Sequence, residues 1–281
     1  MKPIISQIGQ NPMTSALNQI QLETLRDFYH IFPESQSTLI GAVALGFYLE
    51  VSWRKTADID LVVALDQNEV LTALSQYSDW TRHPRHAYRF QSPQGPFLNI
   101  IPAGQEFSEK GMVELENGQT MNFAGIDLAL THSVAHKALN SLEVKVSPPS
   151  CIAVLKMESF LIRPYERLRD LQDIAQLLDV YIDDTSNRFW DVGVEHIGNF
   201  DLVPAYLLGQ DIGKIVTERH VQTLQDFFQT LIDPESVHHA WMERHGPSHW
   251  SAEKEPLLER LKVLGKGIEY SLGTNILDGE T

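Results

Sequence analysis

Short runs of branched and aromatic residues alternate with helically spaced apolar residues as far as Phe123, and from Ile126 onward only helical spacing recurs. The strand-like runs are 38–41, 58–64, a pair at 87–92 and 96–102 around Pro93-Gln94-Gly95, and a pair at 112–115 and 119–123 around Asn117-Gly118. Both pairs carry turn residues that favour hairpins, Asn-Gly above all. Helices are expected between them over 21–32, 42–51 and 69–77, and after them over 126–139, 149–162, 166–181, 201–208, 218–232, 234–243 and 253–266. That order makes an α+β chain: a mixed sheet with flanking helices, followed by a helical C-terminal region. The polar stretch 183–188 is the expected boundary. It gives an N-terminal arm over 1–20, a core with a helical extension over 21–182, and a helical region over 185–281.

The charge balance narrows the function classes. With 37 acidic residues against 22 Lys and Arg, the chain carries a formal net charge of −15. Proteins that coat nucleic acid need a basic surplus to neutralise phosphate, so that role is disfavoured. An enzyme with one local basic groove remains allowed, because net charge says nothing of distribution. No apolar run approaches the roughly 20 residues of a membrane helix, and the N-terminus lacks the apolar stretch of a signal peptide. Cys151 is the sole cysteine, which excludes an internal disulfide and suits a reducing compartment. A cytoplasmic protein is expected.

The run 58–64 reads Asp-Ile-Asp-Leu-Val-Val-Ala. Side chains alternate along a strand, so Asp58 and Asp60 lean one way while Ile59 and Leu61 lean the other. Two adjacent carboxylates repel each other unless a cation lies between them. Oxygen-only donors suit Mg²⁺ or Mn²⁺, which bind through one or two carboxylates plus substrate phosphates. Gly41 stands where a strand turns into a helix, and a phosphate could approach its bare backbone closely.

With these residues in place, Gly41-Ala42-x-Ala44-Leu45 and Arg54-x-Thr56-x-Asp58-Ile59-Asp60-Leu61 resemble the first motif of the polymerase-beta-type nucleotidyltransferases. The likeness is closest to the AbiEii/AbiGii toxin-like branch. Leu155-Lys156-Met157 and Arg167-Leu168-Arg169-Asp170-Leu171-Gln172-Asp173 are similar to that branch's later motifs, and the resemblance spans roughly 38–181. It implies transfer of a nucleoside monophosphate from a Mg²⁺-bound (or Mn²⁺-bound) nucleoside triphosphate to an acceptor hydroxyl. In that scheme Asp58 and Asp60 hold the metal, Lys156 contacts phosphate and Asp170 completes the site. Gly41, Ala42, Arg54 and Thr56 would line the nucleotide. The acceptor is left open between tRNA, a protein and a small molecule, and an antitoxin protein is the implied partner.

Two departures from the pattern motivate a rival reading. Ala42 stands where relatives have glycine or serine, and Asn99 stands where many carry a third carboxylate. The rival is a catalytically silent relative that binds nucleotide or acts as a scaffold.

Other signals carry less. His132 and His136, and likewise His245 and His249, are four apart, but lack a third zinc ligand in a known pattern. His238-His239-Ala240-Trp241, with Trp250, reads as helix edge and core more readily than as a binding surface. Cys151 is expected to be buried, and Gly265-Lys266-Gly267 reads as a helix end.

Overall fold

Ile59, Leu61, Val62 and Val63 are all fully buried, and the strand they form is the middle of a seven-stranded mixed sheet. The sheet belongs to a computed structural model that describes residues 17–33, 36–53, 56–86, 88–105, 107, 112–114, 120–122, 124–138, 142–191 and 197–277. The chain divides into two units, the first ending at Pro148 and the second beginning at Pro149.

The first unit runs α1 (Gln19–Ile31), β1 (Ser37–Ile40), α2 (Gly41–Leu45), β2 (Ile59–Val63), α3 (Gln67–Ser75), β3 (Thr81–Arg82), β4 (Arg89–Gln91), β5 (Phe97–Pro102), β6 (Met112–Glu114), β7 (Thr120–Asn122), α4 (Ala124–Thr131), β8 (Val134–Lys137) and β9 (Glu143–Val146). Strand order in the large sheet is β3-β4-β5-β2-β1-β9-β8. β2 is antiparallel to β1 and parallel to β5, while β4 returns antiparallel along β5. The β4–β5 hairpin turns at Pro93-Gln94-Gly95: Ser92 donates its amide to Pro96 O at 2.9 Å, and Gly95 has φ of 106°. β6 and β7 form a separate antiparallel pair; Asn117 and Gly118, expected at its turn, lie outside the described residues.

Local chemistry sets the helix starts. Asn18 and Gln21 make a reciprocal capping box at α1, with bonds of 2.9 and 3.0 Å. Asp66 and Glu69 do the same at α3. Leu22, Leu25 and Phe28 of α1 are fully buried, and each such side chain contributes roughly 1.5–3 kcal/mol of hydrophobic stabilisation.

Two expected helices are corrected. The helix expected over 42–51 stops at Leu45, because the amides of Gly46, Phe47 and Tyr48 reach back only three residues, to Val43, Ala44 and Leu45. The helix expected over 126–139 ends at Thr131; Val134–Lys137 is the edge strand β8, paired with β9. The missed β9 has period-two burial, with Val144 and Val146 inside and Glu143 exposed.

The second unit is helical: α5 (Pro149–Ile162), α6 (Leu168–Val180), α7 (Asn187–Asp191), α8 (Val203–Ile215), α9 (Glu218–Leu231), α10 (Val237–Arg244) and α11 (Pro256–Leu272). Apolar residues lie all around α5, from Cys151 to Phe160, and α6, α8 and α9 pack on it. The polar stretch 183–188 lies inside this unit, where Arg188 pairs with Asp211 at 2.8 Å and Tyr181 donates to the same carboxylate at 2.7 Å. Gly265 and Gly267, expected at a helix end, sit inside α11, which terminates at Gly273 in the left-handed region. Gly267 faces Gly209 and the Tyr206 carbonyl of α8, so the two helices approach with backbones nearly touching.

Candidate active site

Strand register assembles the first group of candidate residues. Asp60 is opposite Asn99 on β5, and Asn99 is opposite Arg89 on β4, so the three form a row across adjacent strands. Asn99 Nδ2 donates to Asp60 Oδ1 at 2.7 Å. The Arg89 guanidinium donates to Asp58 Oδ2 at 2.9 Å and, at 3.5 Å, to Asn99 Oδ1. Buried Ile59 separates the two aspartates along the chain, and both carboxylates join the same polar row. Arg89 is steadied from its other side by the Phe97 ring, 4.4 Å from the guanidinium carbon.

Gly41 closes the opposite side of Asp60. β1 pairs Ile40 with Asp60, and the next residue, Gly41, has φ of 71°. A Cβ there would overlap the Asp60 carboxylate. Glycine is therefore demanded twice, by backbone conformation and by space. α2 has five residues, too short for a helix dipole to add much, so the bare backbone of Gly41 is what this turn offers an anion. The Ala42 side chain is buried. Thr56 donates its hydroxyl to the carbonyl oxygen of Asp58 at 3.3 Å, and its own carbonyl accepts from Gln21 at 3.3 Å. Arg54 lies outside the described residues.

Lys156 and Asp170 form the second group, in the helical unit. Lys156 Nζ on α5 lies 3.0 Å from Asp170 Oδ1 and 2.7 Å from Asp173 Oδ2 on α6, with all three side chains nearly inaccessible. Arg167 adds a 2.7 Å bond to the other Asp170 oxygen. Burial alone would push the Asp170 carboxyl up, but Lys156 and Arg167 outweigh it and hold it below its ordinary value. Asp170 and Asp173 are one turn apart on α6, and Lys156 bridges them.

A divalent metal, implied by the resemblance, fits the donor set of the first group. Asp58 and Asp60 supply hard oxygens, the Asp58 side chain is 35% exposed, and Mg²⁺ needs only one or two carboxylates when phosphate supplies further oxygens. Asn99 does not make a third carboxylate, and among the described residues no cluster of three or more His, Cys, Asp or Glu could hold a metal. Arg89 was not anticipated from the sequence. Its signal was available in the run Arg82-His83-Pro84-Arg85-His86, which leads to it, and in the absence of any Asp or Glu from 80 to 105.

His136, His245 and His249, three of the four histidines in the spaced pairs, contact neighbouring side chains. His136 is on β8, edge-on to Tyr48 and Phe47 at 4.8 and 5.6 Å, and burial pushes its pKa down, as it does for His132. His245 stacks on Trp241 at 4.0 Å, and His249 pairs with Asp179. Trp250 is core: its indole donates to Asp179 at 3.1 Å, and the buried Arg260 lies over its ring. Cys151 is buried.

The chain thus presents a mixed sheet flanked by helices, with Asp-Ile-Asp entering its central strand and helices following in sequence. Residues 23–244 match the family described as nucleotidyl transferase AbiEii toxin, type IV TA system, and the chain belongs to that family. Among solved structures it is similar to a protein from H. pylori described as a nucleotidyltransferase, at 12% identity and a TM-score of 0.33 over 92% of this chain and 96% of that one. It is also similar to the CdnE cyclic dinucleotide synthase of Elizabethkingia meningoseptica, solved with GTP and Apcpp, at 9% identity and a TM-score of 0.25 over 90% of each chain. No curated protein matches it. Among the described residues no helix is long and apolar enough to cross a membrane.

Proposed function

We propose that this chain transfers a nucleoside monophosphate from a nucleoside triphosphate to an acceptor hydroxyl, as the toxin half of a type IV toxin–antitoxin pair acting in the cytoplasm. The acceptor oxygen bonds to the α-phosphorus as its hydroxyl proton passes to water, the bond to the bridging α–β oxygen breaks, and pyrophosphate leaves. Asp58 and Asp60 would hold Mg²⁺ or Mn²⁺, which when bound neutralises phosphate charge and aligns the triphosphate. Gly41 lets phosphate approach the backbone beside Asp60, and Ala42, Arg54 and Thr56 are assigned to nucleotide binding. Lys156 is assigned to phosphate and Asp170 to completing the site. For that, Lys156 must exchange one of its two carboxylates for a phosphate oxygen. The helical region from 185 onward is assigned to acceptor recognition, with tRNA, a protein and a small molecule all open as acceptors.

The observation that carries this reading is the Asp58-Ile59-Asp60 run whose Asp60 carboxylate packs against a glycine that tolerates no side chain. The test is incubation with α-phosphate-labelled nucleoside triphosphates, Mg²⁺ and fractionated cell RNA, protein and small molecules. Label should appear in one fraction, require the cation, and disappear in Asp58→Ala and Asp60→Ala. Equal labelling by the variants would contradict the reading.

A second reading, the catalytically silent nucleotide binder or scaffold, is favoured by one arrangement: Asn99 and Arg89 already satisfy an oxygen on each aspartate. Nucleotide binding with no transfer to any fraction would select it.

A further inference from the structure

The site contains a cation of its own, and its placement has consequences for how ligands enter. Arg89 and Asp58 are both partly accessible, at 26% and 35% side-chain exposure, and lie 2.9 Å apart. The guanidinium is not adrift: Phe97 stacks against it at 4.4 Å, and a second nitrogen points to Asn99. A divalent ion joining Asp58 would meet a fixed positive charge a few ångströms away, with neutral Asn99 unable to offset it. Binding of the bare ion is therefore opposed by like-charge repulsion as well as by loss of the existing ion pair.

A triphosphate removes both objections. Its oxygens match the planar fork of a guanidinium better than a single carboxylate oxygen does. The surroundings suit an anion: Arg85 and His86 are exposed, the His83 and His86 rings lie 4.7 Å apart, and no Asp or Glu occurs between 80 and 105 in a chain whose net charge is −15. Local positive potential of this kind concentrates anions at a site even on an acidic protein.

The geometry points to Arg89 as a triphosphate-binding residue that is held on Asp58 until nucleotide arrives, so that divalent cation and nucleotide enter the site together. This deepens the nucleotidyltransferase reading and rests on its assignment of Asp58 to the cation. On arrival, the guanidinium exchanges Asp58 Oδ2 for phosphate oxygens, pivoting over Phe97, and Asp58 is released toward the cation. The order of events differs from that of a site whose carboxylates have no resident cation, where the ion alone is already bound.

The test is Mn²⁺ binding followed by electron paramagnetic resonance, with Mn²⁺ alone and with non-hydrolysable α,β-methylene analogues of ATP, GTP, CTP and UTP. Wild type should bind Mn²⁺ weakly alone and at least about fivefold more tightly with one or more analogues. Arg89→Gln should bind Mn²⁺ alone about fivefold more tightly than wild type, the scale of one exposed ion pair, while losing most of the nucleotide-dependent gain. Arg89→Lys keeps the charge without the fork and should fall between the two, which preserves the test if Arg89→Gln does not fold. Wild-type affinity that is the same with and without every analogue, or an Arg89→Gln protein whose affinity for bare Mn²⁺ is unchanged or lower, overturns the proposal. Asp58→Asn separates the two levels: if it binds Mn²⁺ like wild type, the cation assignment itself has failed, whereas loss in Asp58→Asn with no effect of Arg89→Gln removes only the role of Arg89.

Discussion

Asn99 stands directly across from Asp60 on the neighbouring parallel strand and donates its amide to that carboxylate at 2.7 Å. The central strand's acidic side chain is thus held by a neutral partner at the position where the resemblance implied a third carboxylate. Replacing Asn99 by Asp would turn the hydrogen bond into a contact between two anions. Asn99→Asp should lower thermal stability in chelator, by about 1–2 kcal/mol for a like-charge pair in a partly buried site. Mn²⁺ should restore most of that loss, more than it stabilises wild type. A variant as stable as wild type in chelator would count against the tight coupling of the two positions.

Gly41 supports a sharper expectation. Gly41→Ala requires a left-handed alanine, costing about 1–2 kcal/mol, and its Cβ must displace the Asp60 carboxylate. Unfolding in urea should show at least that loss, and Mn²⁺-nucleotide binding should fall further than stability alone explains. Ala42→Gly, one residue on, supplies the residue type that the resemblance leads one to expect there and should leave nucleotide binding close to wild type.

The Lys156 cluster gives a pH signature. The folded-state pKa of Asp170 is depressed below the ordinary 3.8 because Lys156 and Arg167 outweigh the opposing effect of burial. Asp211 is depressed as well: burial pushes it up, and Arg188 and Tyr181 more than reverse that. A carboxylate with a lowered folded pKa adds stability that is present above the unfolded value and is lost as pH falls through the folded one. Stability should therefore drop on acidification below about pH 4, measured as the urea midpoint against pH. Lys156→Met leaves Asp170 and Asp173 buried together and should cost about 3–5 kcal/mol near neutral pH, a penalty that shrinks in acid as protonation relieves it.

The α8–α11 contact predicts intolerance of a different kind. A Cβ on Gly209 would strike the Leu264 carbonyl, which is backbone and cannot swing aside. Gly209→Val should lower the melting temperature by an amount corresponding to at least about 1–3 kcal/mol of overpacking. Gly273→Asn, at a position with φ of 74° and open space around it, should be nearly neutral because asparagine tolerates the left-handed region.

What the sequence disclosed follows from how local each signal was. The run at 58–64 could be read because branched residues and alternating polarity both favour a strand, and the Pro-Gln-Gly turn set the β4–β5 hairpin within a few residues. β8 and β9 were missed because Val134–Lys137 follows a true helix without a proline or glycine stop, and its strand character comes from pairing with Glu143–Val146. Asp58 and Asp60 could be expected on one face from the period of a strand alone. Arg89 could not, since its place beside Asp58 depends on the register of β4 on β5 and of β5 on β2. In the same way, the burial of Lys156 between Asp170 and Asp173 depends on how α5 packs on α6.

The account rests on two aspartates acting as one cation site, and a crystal of the protein with a non-hydrolysable nucleoside triphosphate analogue and Mn²⁺ tests it most directly. Anomalous scattering should place a manganese ion in contact with carboxylate oxygens of both Asp58 and Asp60, with phosphate oxygens completing its shell. A bound nucleotide whose phosphates lie away from these two residues, with no manganese peak between them and with Arg89 and Asn99 still on their carboxylates, would contradict it.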